Sequence, residues 1–139
     1  MIKILILSIC LSGCVETGLR ITESCTDDER AAIHHGVMAI NVLAGDSIVT
    51  LDNNGSFPVV CYHDAYEWPY GDDSVGHFNN EQLSIASFRR EGDGFTNTFM
   101  HELGHYVGAW HVNGSDNVMS KNATDIIQYT DEDERELLR

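Results

Sequence analysis

Apolar positions recur at helical spacing in some stretches of this chain and alternate in others, and the two periods divide it into elements. Ala32, Ile33, Val37, Ile40 and Ala44 fall on one helical face behind Thr26-Asp27-Asp28-Glu29. There Thr26 can cap the first free amides and Glu29 can reach back to the cap. This predicts a helix running to about residue 43, stopped by Gly45-Asp46. Residues 47–51 form a short β-branched run, and Asp52-Asn53-Asn54-Gly55 is a turn signal. Residues 57–63 read as a strand, with Pro58 suggesting a sheet edge or a strand start because proline lacks the amide a ladder needs. Residues 83–88 alternate, Leu83, Ile85 and Ser87 against Ser84, Ala86 and Phe88, and predict a further strand. Phe95, Phe99, Leu103 and Tyr106 space a second helix over 95–108. Thr130 caps a last one over 131–139, with acidic residues first and Arg135 and Arg139 toward its end, as the helix dipole favours. Residues 15–24 fit either a short tether or a first strand, and 71–76 a polar loop. Tyr62, Tyr66, Trp68 and Tyr70 fit packing on the sheet better than lining a cleft. His34 and His35 fall on the first helix and read as partly exposed residues, not ligands.

At 139 residues the chain is long enough for one domain with a real core. Its net charge of −14 argues against binding nucleic acid or an anionic bilayer by charge. Near the N-terminus one cation, Lys3, precedes an apolar run over 4–9 that is too short to span a bilayer and reads as an export signal. Leu11-Ser12-Gly13-Cys14 resembles the lipobox of bacterial lipoproteins. By that resemblance residues 1–13 are cleaved, Cys14 is lipid-modified, and 14–24 links it to a domain over 25–139. Val15, where an aspartate would signal inner-membrane retention, points to the outer membrane or cell surface of a bacterial envelope. An ordinary signal peptide is the alternative. Cys25 and Cys61 then remain, and in an exported chain they suggest a disulfide, with buried free thiols as the other reading.

The chemistry concentrates in His101-Glu102-Leu103-Gly104-His105-Tyr106-Val107-Gly108-Ala109-Trp110-His111. Histidines four apart on a helix stack on one face and can grip one metal ion. Glu102 lies beside them, placed to act on water without being a ligand. Gly108 can take the positive φ that ends a helix and turns the chain, and His111 swings back as a third nitrogen ligand. Three histidine ligands leave the fourth tetrahedral position of Zn²⁺ open, as a catalytic site requires. An amphipathic core helix with incidental histidines is the bland alternative. A chain this long would show His-Glu-x-x-His by chance about 2% of the time, and Gly108 with His111 makes coincidence rarer still.

This pattern, with Asn117-Val118-Met119-Ser120 downstream, resembles the metzincin clan of zinc metallopeptidases. The resemblance covers about residues 95–120. It implies an α/β (α+β) zincin fold: a small twisted mixed sheet packed on an N-terminal helix and the active-site helix, closed by a C-terminal helix. It also implies a monomeric zinc endopeptidase with Met119 as the apolar floor of the metal site and Glu102 as general base. The strand containing Ser84, Ile85, Ala86, Ser87 and Phe88 would lie at the sheet edge and bind an extended peptide by strand addition. A faint likeness to a matrixin segment raises a second ion on His77, Asp72 and Asp73, although a plain loop is the preferred reading. Val112 after the third histidine matches no particular metzincin family. Lys121, two after Met119, stands where astacins and serralysins place a metal-binding tyrosine. The alternatives are a lipid-anchored binding or adhesion module with a non-catalytic zinc site, and a zinc hydrolase acting on non-peptide substrates.

Overall fold

The computed structural model describes residues 18–139. The export segment and the lipobox with Cys14 lie outside the described residues. The elements follow in the order β1 (Leu19–Ile21), α1 (Asp27–Ala44), β2 (Phe57–Tyr62), β3 (Gly76–Phe78), β4 (Leu83–Ala86), α2 (Asp93–Tyr106) and α3 (Asp131–Leu137). Four strands make one mixed sheet in the order β1-β2-β4-β3. The first three run parallel, and β3 pairs antiparallel with β4. Parallel neighbours need a crossover, and α1 supplies the one between β1 and β2.

Helix α1 begins and ends as its sequence predicts. Thr26 accepts from the Glu29 amide at 3.3 Å while Glu29 accepts from the Thr26 amide at 2.7 Å. Gly45 closes the helix in the left-handed conformation, with φ 68°. Ile33, Val37 and Ile40 face a core shared with Phe95, Phe99 and Leu103 of α2 and Leu19, Val59, Leu83 and Ile85 of the sheet. Each such side chain, once buried, contributes about 1.5–3 kcal/mol. His34 and His35 are exposed, as expected. Cys25 and Cys61 are bonded to each other and staple the entry of α1 to β2. Trp68 is buried, edge-on to Tyr62, Tyr70 and Phe88, whereas Tyr66 is 98% exposed.

Two expectations need correction. Residues 47–51 form no strand; only Leu51 bridges to Leu19. The Asn41 side chain takes both backbone groups of Val49, donating to its carbonyl at 2.8 Å and accepting from its amide at 3.0 Å. Those groups are then lost to a ladder. Of the two readings of Pro58 the strand start holds, since it is the second residue of β2, an interior strand. The second correction concerns the expected substrate edge. Ser84, Ile85 and Ala86 belong to β4, which runs between β2 and β3 and is fully buried at all three positions. Ser87 and Phe88 lie beyond its end, where Arg89 closes a turn onto the Ala86 carbonyl at 2.9 Å. The sheet edge on this side is β3, which starts at the last residue of the stretch that reads as polar loop and was not expected as a strand.

Candidate metal centre

Helix α2 carries His101 and His105 on one face, both part-buried. The chain reverses after it at Gly108, whose φ of 99° is a conformation glycine adopts without steric cost. In the reversal the amides of Gly108 and Ala109 bond to the carbonyls of His105 and Gly104, at 3.0 and 2.9 Å. That turn returns His111 to the other two. The three Nε2 atoms lie 3.0 Å (His101–His105), 3.2 Å (His101–His111) and 3.2 Å (His105–His111) apart.

The His101–His105 contact is not a hydrogen bond between the rings. His101 Nδ1 lies 2.7 Å from the Val118 carbonyl, and His105 Nδ1 lies 2.9 Å from the Ala109 carbonyl. A carbonyl only accepts, so both Nδ1 atoms carry the proton and both Nε2 atoms present lone pairs. Lone pairs at 3.0 Å repel unless a cation stands among them. Tetrahedral coordination with Zn–N bonds of 2.0–2.1 Å puts ligand nitrogens about 3.3 Å apart. The nitrogen set therefore fits one such ion to within a few tenths of an ångström. Burial lowers the pKa of His101 to about 4, with the other two rings adding to the effect. His111 is lowered as well, by burial and then by the charges of His105 and Lys121. Both shifts keep the imidazoles neutral, the form that ligates.

Met119 was expected beneath this face; the glycine that admits it, Gly104, and the support from Asp133 were not read from the sequence. Met119 is fully buried, and a Cβ added at Gly104 would lie 2.3 Å from its sulfur. Only glycine at 104 lets the methionine lie this close beneath the two histidines. Asp133, also fully buried, accepts from the Val118 and Met119 amides at 2.9 and 2.8 Å while capping its own helix through the Thr130 amide at 2.9 Å. Asp133 thus holds the turn whose Val118 carbonyl orients His101. Thr130-x-x-Asp133 is legible as a capping box, but its grip on residues 118 and 119 is a tertiary fact.

Glu102 is 8% exposed. Burial raises its pKa to about 7, although the Phe78 amide of β3 donates to it and offsets part of that rise. A Cβ on Gly76 would lie 2.7 Å from Glu102 Oε1, so the carboxylate fits against bare backbone of the edge strand. The three histidines and Glu102 line a cleft of about 470 Å³. One wall is the β3 region, and the other is residues 120–123, which continue from the turn over 117–120 that carries Met119, the methionine turn.

Of the residues singled out in the sequence, His101, Glu102, His105, His111 and Met119 come together here. Asp73 and His77 line the same cleft. Asp72 instead accepts from the Ser74 amide at 3.0 Å, and the His77 ring stacks on Tyr70 with centroids 3.8 Å apart. The three do not form a common ligand set. The sequence matches no protein-family model and no curated protein.

Proposed function

We propose that this protein is a zinc-dependent peptidase of metzincin type. The observation that carries the reading is the convergence of three Nε2 lone pairs, two fixed by Nδ1–H donation to carbonyls, beside a buried carboxylate that is not one of the ligands. His101, His105 and His111 would hold the ion. When bound, zinc supplies Lewis acidity, polarising a carbonyl and making water more acidic.

The chain's own groups supply the rest. Glu102, with its pKa near 7, is poised to take a proton from the attacking water and hand it to the leaving amine. The Val118 and Ala109 carbonyls keep the imidazole lone pairs directed inward, as the outer contacts of metal-binding histidines commonly do. Among the described residues strand β3 pairs with β4 alone, and its other edge, where the Phe78 amide meets Glu102, would receive an extended peptide backbone. Such a peptide would run between β3 and residues 120–123, over Glu102.

Cleavage of a peptide library by the zinc-loaded protein, blocked by a hydroxamate, tests the reading. Zinc bound at one ion per chain with no cleavage of any peptide would favour a binding module. Turnover confined to non-peptide amides would favour a different hydrolase.

A further inference from the structure

Lys121 is the sole lysine among the described residues, in a chain whose acidic groups outnumber its cations 22 to 8. Of the six arginines among the described residues, all but Arg135, which lies on α3 away from this cleft, are engaged. Arg20 donates to Gly55, Arg30 to Thr22 and Cys25, and Arg89 to the carbonyls of Asp72 and Ser74. Arg90 binds Thr124 and Asp125, and Arg139 pairs with Glu136. Lys121 is exposed, lines the cleft, and has no ion pair or hydrogen bond among the described residues. It is also the only Lys or Arg that lines this cleft among the described residues. Its charge reaches His111.

In so acidic a molecule, a cation that lines the cleft without an ion-pair partner, on the wall facing β3, leaves room for an incoming anion. We infer that Lys121 selects substrates that present a carboxylate to the 120–123 wall of the cleft. This rests on the peptidase reading above. The carboxylate has two sources, an Asp or Glu side chain or the free C-terminus of the peptide. The overall field of the protein repels either one, so discrimination must be short-ranged and local to this ammonium group.

The test is binding, not turnover. Peptide hydroxamates differing only in one residue (Glu, Gln or Lys), each with a free or an amidated C-terminus, are titrated calorimetrically into the zinc-loaded protein. The same is done for Lys121→Met and Lys121→Glu. Residue 121 is exposed, so both variants should fold and retain zinc. The wild type should prefer the carboxylate-bearing ligand by about fivefold over its neutral counterpart, as an incompletely buried ion pair allows. Lys121→Met should remove that preference and Lys121→Glu should invert it, each read as the ratio of charged to neutral ligand within one variant. A preference that follows Glu over Gln identifies a side-chain carboxylate, and one that follows free acid over amide identifies the C-terminus. Tight binding with the same Glu-to-Gln and acid-to-amide ratios in wild type and Lys121→Met would overturn the inference and leave the zinc site intact. Failure of every hydroxamate to bind would overturn the zinc reading itself, and the inference with it.

Discussion

Glu102 and His101 titrate in opposite senses. The Glu102 pKa is raised from 4.5 to about 7, so the folded protein holds a proton there that the unfolded chain has already lost. Its contribution to stability is present at low pH and is lost as pH rises through that window. The His101 pKa is lowered from 6.5 to about 4, so the unfolded chain takes up the proton first as pH falls. That contribution is full above 6.5 and is lost between 6.5 and 4, on the order of 3 kcal/mol. The two slopes overlap and oppose each other between pH 4.5 and 6.5. Metal-free Glu102→Gln should therefore gain stability over that interval more steeply than the metal-free wild type, as read by urea denaturation at a series of pH values. Equal slopes would mean that Glu102 does not titrate as its burial implies. With zinc bound, Glu102→Gln should keep the metal and lose 100-fold or more in kcat, roughly the scale of general-base catalysis. Metal content measured alongside kcat separates the two effects.

At the scale of elements, the site depends on contacts between α2, the methionine turn and α3. Gly104→Ala drives a methyl group into the Met119 sulfur, which should cost about 1–3 kcal/mol. The expected result is a lower midpoint in chemical denaturation with weaker zinc retention. Asp133→Ala releases two amides of the turn that orients His101, and zinc affinity should fall about 10- to 100-fold, measured by competition with a chelator. An unchanged affinity would show that the turn holds itself.

The same contacts explain how much was legible beforehand. Thr26, Gly45 and Thr130 act locally and were readable, as was the helical phase of Ile33, Val37 and Ile40. The histidine triad was readable because two histidines share a helical face and one glycine turns the chain to the third. β3 was not, because three residues, Gly76-His77-Phe78, are too few for a period. β4 misled because a strand covered by neighbours on both sides buries every residue, and its alternation carried no information about an edge. Gly76 and Asp133 were missed because they act across the fold, on residues far away in sequence.

For the whole molecule, the Cys25–Cys61 bond closes a loop with a sequence separation of 36. Chain entropy puts its contribution at about 4 kcal/mol. Cys25→Ser with Cys61→Ser should lower stability by that order in denaturant, and zinc binding should survive wherever the variant stays folded. A preserved midpoint would show that the core shared by α1, α2 and the sheet suffices alone. That core fixes α2 against β3, and so fixes Glu102 against the strand edge beside the histidines.

The central claim is that the nitrogens of 101, 105 and 111 surround one divalent ion while leaving a coordination position free of protein. Anomalous diffraction at the zinc edge from crystals of the zinc-loaded protein tests it most directly. The account predicts one peak, about 2.0–2.1 Å from each Nε2, with no other side chain bound. A peak elsewhere, His111 turned away from it, or a fourth protein ligand closing the site would contradict the account.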